Sequence, residues 1–338
     1  MKLGAVYSSQ VNAFYRIYLP MMAMRERGHE IVGVQTEQGV LPSARELSGC
    51  DLVHVHRPRL EGDAADFVTR LHGAGIAVGF DDDDDSAEAP PELAGIVADG
   101  SLERARRDYE LMLGQAGEID LLTTPSLQIA QRFASAGADN VQVIENYLPG
   151  AFGRVRPAGH DGLVVGWHAA EEHRLDVAAL GLDTVLRRVL DSHPDVRVVT
   201  IGIDLDLEHE RYVRETHLSI HDLTRRLADF DIGIAPLADT PFNRGRSNVK
   251  AREYAAAGVP WLASPVGSYR ELGSDEGGQL VEDDDWFAAL DELIRSRKER
   301  SRMQKRARKW AERETIWQMA EVWEQTFLDT IRDMRAIV

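Results

Sequence analysis

Short apolar runs separated by amphipathic stretches recur along the whole chain, and the series restarts near residue 162. In the first half the runs are LGAVY (3–7), EIVGV (30–34), DLVHV (51–55), IAVGF (76–80), DLLTT (120–124) and VQVI (141–144). Helical periodicity falls between them near 12–27, 61–73, 101–116 and 126–136. The second half repeats the pattern with GLVVGW (162–167), VRVVTIG (196–202), FDIGIAP (230–236), VPWLAS (259–264) and GGQLV (277–281). Such alternation is the pattern of parallel βαβ units, whose ligands lie beyond the carboxyl ends of the strands. The segment 146–162, rich in Gly and Pro and without periodicity, divides the two series. The expectation is an α/β chain of two doubly wound domains, with a break at residues 150–151.

A chain of 338 residues is comfortable for two such domains. The net charge of −17 argues against a nucleic-acid binder, which would carry a basic surplus. Cys50 is the single cysteine, so no internal disulfide framework is possible and a reducing compartment is expected. The start, MKLGAVYSSQ, enters a strand-like run directly, and no apolar stretch approaches bilayer-spanning length. A soluble, cytoplasmic protein is expected.

The densest chemistry lies in PLADTPFNRGRSNVKAREYAAAGVP (236–260), a cationic turn feeding a helix. Ser247 is the expected N-cap, and Gly258 with Pro260 the expected stop. Arg244, Arg246 and Lys250 bring positive charge to a helix start, where backbone N–H groups and the macrodipole already favour phosphate. Glu253, one turn deeper, offers a carboxylate to a ribose hydroxyl pair. A diphosphate with a sugar attached fits this set; a solvated surface turn with Glu253 as a partner of Lys250 is the other account of the same residues.

The string EYAAAGVPWLAS (253–264), followed by PVGSYREL, resembles the donor-binding element of GT-B glycosyltransferases, in particular the retaining family four. TTPSLQIAQRFASAGADNVQVIENYLPGAF is similar to the segment that precedes the interdomain linker in that family, with Ser126 and Asn146 at matching positions. The resemblance implies two Rossmann-like domains facing a central cleft: 1–150 for the acceptor, 151–315 for the donor, and a last helix, 316–338, crossing back to the first. Arg246 and Lys250 become catalytic cations on the leaving diphosphate, and Arg244, Ser247, Asn248 and Glu253 donor contacts. The H-x-H of DLVHVHRP (His54, His56) resembles the family pattern in which the second histidine lies beside the transferred sugar, which makes His56 the catalytic candidate of the first half. Where the family often has a glutamate, eight positions before Glu253, this chain has Gly245, and Asp239 is the candidate to take over the sugar contact.

In VGWHAAEEHRLDV (165–177), Gly166 permits close backbone approach, and His168, His173 and Arg174 supply donors near the diphosphate. In the first loop the family's Gly-Gly pair is replaced by Asn12-Ala13, and Tyr15 and Arg16 are candidates for acceptor or phosphate contact. FDDDDDSAEAPPE (80–92) is open to three accounts: a solvated loop, an acceptor-contacting loop using Asp82 and Asp83, and a hard-cation site. Five adjacent aspartates cannot all face one ion, and no metal is assigned. The C-terminal stretch IRSRKERSRMQKRARKWAERE carries ten basic residues before Trp317, Trp323 and Phe327. A face for an anionic membrane and a solvated helix with core aromatics both fit it.

The expected activity is metal-independent, retaining transfer of a sugar from a nucleoside-diphosphate sugar to an acceptor hydroxyl, with no cofactor beyond the co-substrate. The alternatives are a non-hydrolysing nucleotide-sugar epimerase of the same fold and a non-catalytic nucleotide-sugar-binding partner protein.

Overall fold

The structure is a computed structural model and describes residues 1–9, 13–36, 41–62, 65–96, 101–150, 159–216 and 218–337. The expected break at 150–151 borders the undescribed stretch 151–158, and Asn12 also lies outside the described residues. The first half runs β1 (Lys2–Tyr7), a π-turn (Phe14–Tyr18), α1 (Leu19–Glu26), β2 (Glu30–Gln35), β3 (Leu52–His56), α2 (Phe67–Gly73) and β4 (Ala77–Asp81). It continues with α3 (Ser101–Gly114), β5 (Leu121–Thr124), α4 (Leu127–Ser135) and β6 (Val141–Val143). The second half opens with β7 (Leu163–Ala169), α5 (Arg174–Leu180), α6 (Leu182–Ser192), β8 (Val196–Gly202), β9 (Tyr212–Glu215), α7 (Ile220–Leu227) and β10 (Ile232–Ala235). It ends with α8 (Pro241–Arg244), α9 (Val249–Ala257), β11 (Trp261–Ala263), β12 (Gly278–Leu280), α10 (Trp286–Arg295), α11 (Arg297–Ala311) and α12 (Ile316–Ile337).

All strand pairs are parallel, in two six-stranded sheets of order β2-β1-β3-β4-β5-β6 and β12-β11-β10-β7-β8-β9. Strand order reverses between β1 and β3 in one sheet and between β7 and β10 in the other. The loops after those four strands are therefore where an open parallel sheet binds its ligand. β3 and β4 are buried along their whole length, as strands covered by helices on both faces must be. β9 escaped the sequence pattern because it is an edge strand, YVRE, with no fully buried residue and hence no apolar run.

Helix α12 lays Trp323, Phe327 and Ile331 into the first half's core beside Leu3, Leu52 and Ile17. Trp310, in α11, belongs instead to the second half's core with Tyr254 and Ala307. The crossing is pinned where Leu148 N–H donates to the Glu314 carbonyl (2.9 Å) and Ile316 N–H to the Leu148 carbonyl (2.8 Å). The basic helix α11 buries Met303, Ala307, Trp310 and Ala311, so its aromatic is core. Among the described residues no helix is long and apolar enough to cross a membrane.

Candidate functional site

Arg246 and Lys250 meet at one cavity of about 170 Å³, lined also by Ser247, His173, Pro236 and Tyr269 from the second half. Tyr15, Asp83, Asp84 and Asn146 close it from the first. Each element arrives from the carboxyl end of a strand: Tyr15 after β1, Asp83 and Asp84 after β4, His173 after β7 and the cationic turn after β10. The π-turn at Phe14–Tyr18 aims Tyr15 at the cleft while Ile17 and Arg16 are buried. π-Turns are rare and are found often at functional sites.

The N-cap of α9 is Asn248, not Ser247. Asn248 donates to the Ser268 carbonyl (3.2 Å) and accepts from Arg252 (2.8 Å), so it braces the turn rather than reaching the cavity. Ser247 is free to face the cavity and accepts a hydrogen bond from Asn146 (3.1 Å), a link between the two halves. Arg246 lies 3.6 Å from Glu172 and over the Phe242 ring at 4.8 Å. Lys250 forms no salt bridge among the described residues. Burial, and then Arg246, push its pKa down. Of these two cations on one cavity, Arg246 has Glu172 as its carboxylate and Lys250 has none within salt-bridge distance among the described residues, an arrangement suited to an anion.

Glu253 is 4 % exposed and accepts from the Tyr15 hydroxyl at 2.6 Å, a second bond between the halves. His168 Nδ1 stands 3.7 Å from its other oxygen. Burial pushes Glu253 upward, but His168, Tyr15 and Lys250 together hold it below the ordinary carboxylate range. His168 thus acts on Glu253 rather than on the cavity directly.

The five aspartates are neither a solvated loop nor a metal cluster. Asp81 is fully buried against Arg16 (2.8 Å), and Asp85 bonds Gln128 (2.7 Å). Arg57 takes Asp82 (3.3 Å), Asp83 (2.5 Å) and Asp84 (2.7 Å) on one guanidinium. Its backbone is left-handed, with φ 46°, and donates to the Asp81 carbonyl at 2.9 Å. A non-glycine residue held there stores strain of a kind concentrated at functional sites. Burial pushes Asp82 up to about 8, because the opposing Arg57 is shared with two neighbouring carboxylates. Asp83, by contrast, is held well below the usual range despite burial, by Arg57 and the His56 hydrogen bond. Among the described residues no group of three or more His, Cys, Asp or Glu could hold a metal ion.

His56 is 2 % exposed and bonds Asp83 through Nε2 at 3.1 Å. The carboxylate, not the imidazole, lines the cavity. His54 is fully buried at 0 % exposure, against Thr123 (3.1 Å) and the Trp323 and Phe327 rings, as a core histidine. Burial pushes it down to about 4.

Several expected contacts lie elsewhere. Arg16 is fully buried, paired with Asp81, bonded to Asn146 (3.1 Å) and placed under the Trp323 ring (5.4 Å), so it is not at an acceptor surface. Gly166 has no ligand role in its missing side chain: a Cβ there would run into the Phe230 ring. Arg174 points outward to Glu171 (2.6 Å) and Asp206 (3.0 Å). Arg244 pairs with Asp239 (2.6 Å), and Asp239 also with Arg270 (3.2 Å), on the rim of a second groove and outside the cavity. At Gly245 a Cβ would stand 2.8 Å from the Asp85 Cβ, so the two halves approach here because the glycine leaves room.

Arg57, Asp84 and Tyr269 were not picked out from the sequence. The signal for Arg57 was present: an arginine directly after H-x-H in a chain with an acidic run whose charge must be neutralised somewhere.

No known family profile and no curated protein matches this sequence. Solved structures do. A glycosyltransferase from Rickettsia africae superposes with a TM-score of 0.68 at 12 % identity, over 98 % of either chain. Anabaena HepE, in complex with UDP and glucose, gives 0.67 at 14 % identity over 98 % of this chain and 100 % of its own. A putative UDP-N-acetylglucosamine 2-epimerase from Listeria monocytogenes gives 0.55 at 14 % identity over 95 % and 94 %. Two parallel sheets face each other across a cleft, with a C-terminal helix returned to the first, and this chain has the GT-B fold.

Proposed function

We propose that the protein is a glycosyltransferase that moves a sugar from a nucleoside-diphosphate sugar to an acceptor hydroxyl. The observation that carries this is the paired cations Arg246 and Lys250 on a cavity built from both switch-point ends, with Lys250 free of any salt bridge among the described residues. They stabilise the negative charge that develops on the diphosphate as its bond to the sugar breaks. Asp83, held by His56 and Arg57, faces them from the acceptor half and orients sugar hydroxyls. With family-four stereochemistry, the acceptor oxygen bonds C1 on the face the diphosphate leaves, and its proton passes to the departing phosphate oxygen. Support comes from the fold shared with HepE, which was solved with UDP and glucose. Fixed cations do the neutralising, so nucleotide binding persists in excess chelator.

The carboxylates Asp83 and Asp84 on the cavity wall also suit the acid and base roles of an epimerase, and one neighbour carries that description. Incubation with a panel of nucleotide sugars decides. Transfer releases a nucleoside diphosphate and forms a glycoside; epimerisation returns an altered nucleotide sugar; tight binding without turnover identifies a non-catalytic partner. Absence of binding by every member removes the nucleotide-sugar site altogether.

A further inference from the structure

His173 stands at the junction of the cavity and the second half's core. It is 2 % exposed, and its Nδ1 bonds Asp176 Oδ2 at 2.7 Å. A carboxylate only accepts, so Nδ1 carries the hydrogen. Asp176 is itself fixed by the Ala238 N–H (3.0 Å) and the Asn243 amide (2.6 Å), which locks the ring's orientation. Nε2 is then buried without a hydrogen-bond partner, on a residue that lines the cavity. A buried orphan nitrogen costs stability and calls for an explanation. The groups around it are Asp176 on α5, Glu172 beside it, and Arg246 and Lys250 from the β10–α9 turn. Asp83, Asp84, Tyr15 and Tyr269 line the rest of the cavity, and the Trp167 ring of β7 packs at 5.7 Å.

We propose that His173 is a proton-coupled ligand of the diphosphate: Nε2 is bare in the empty site, gains a proton when the diphosphate arrives, and donates it to a phosphate oxygen. The inference rests on the nucleoside-diphosphate reading of the cavity. In the empty site burial, Lys250 and Arg246 hold the ring neutral, pushed down to about 4. A diphosphate reverses that field, since it neutralises both cations and places anionic oxygens beside Nε2. Asp176 then stabilises the imidazolium from behind, as a buried carboxylate does for any histidine whose far nitrogen works. Binding that raises a pKa takes up protons, so affinity is highest in acid and falls as pH rises through the pKa of the bound form.

The test uses the intact protein and UDP-, GDP- and ADP-glucose, whose diphosphates carry no titrating proton near neutrality. Calorimetric titration at pH 6.5 in buffers of different ionisation enthalpy reads the protons exchanged. Uptake of a sizeable fraction of one proton by the wild type, abolished in His173→Gln, is the expected result. Glutamine keeps a permanent N–H donor, so H173Q should bind with a nearly pH-independent affinity, whereas the wild type weakens about tenfold or more toward pH 8.5 by loss of a charge-assisted hydrogen bond. Binding with no proton uptake by the wild type overturns the proposal and leaves the donor site standing. Proton uptake undiminished in H173Q assigns the titration to another group and overturns it equally. No binding of any of the three ligands overturns both.

Discussion

Lys250 has its pKa lowered by burial and by Arg246, so in the empty protein the two cations weaken each other. Arg246→Ala and Lys250→Ala should each weaken nucleoside-diphosphate binding by about 10- to 100-fold, the worth of a charge-assisted hydrogen bond. The melting temperature should hold or rise, because like-charge repulsion is relieved. Titration calorimetry beside thermal scans checks this; unchanged affinity in both variants would remove the phosphate assignment. At the same scale, His56 bonds Asp83, and under the proposed function it acts through that carboxylate. His56→Ala and Asp83→Asn should both lower kcat far more than nucleotide affinity. The double variant should lose less than the product of the two single effects, because one unit is broken twice. Independent, multiplicative losses would dissolve the pair. The H-x-H motif disclosed His56, but which nitrogen meets which carboxylate depends on the loop that follows β4, the strand beside β3, where Asp83 lies 27 residues on in sequence.

The acidic loop after β4 is an element whose charge is distributed among three arginines: Arg16 takes Asp81, Arg57 the middle three, and Arg132 reaches Asp85 at 3.3 Å. Asp82 is the residue left with an incomplete share. Its folded pKa, about 8, lies above the unfolded value, so its contribution is full in acid and is lost as pH rises through 8. Asp82→Asn cannot ionise and should gain on the wild type by up to about 1.4 kcal/mol per pH unit between pH 5 and 8. Urea midpoints along that range would measure it; a constant difference would mean that Asp82 ionises normally. Helix α12 makes the complementary case. Trp323 is fully buried, its neighbours Arg27 and His29 hold Glu324, and Arg335 reaches Asp51 at 2.5 Å. Trp323→Ala should cost about 3–5 kcal/mol of unfolding free energy, the range for large-to-small changes in a core. Near-helical spacing of the aromatics announced an apolar face, yet it did not say that Trp310 and Trp323 serve different cores.

Across the whole molecule the halves are bridged by Tyr15 to Glu253, Asn146 to Ser247 and the close approach of Gly245 to Asp85. The cavity between them, about 170 Å³, is small beside the roughly 300 Å³ at which ligand pockets begin, and the expected outcome is that the halves part as a nucleotide sugar binds. Tyr15→Phe removes a latch without removing the ring, and should raise the association rate for nucleotide in stopped-flow by several-fold; an unchanged rate would locate the gate elsewhere. The sequence by itself determined the two parallel sheets, the cationic turn at the head of α9 and the histidine at the end of β3, because apolar period, turn chemistry and strand ends are local properties of the chain. Only the tertiary structure decided that Arg16 is interior while its neighbour Tyr15 crosses the cleft, that Gly166 makes room for Phe230, and that Arg174, Arg244 and Asp239 are spent on surface pairs. The reason is that a charged side chain's role depends on which opposite charge reaches it first, and here those partners come from other elements or from the fold of a loop.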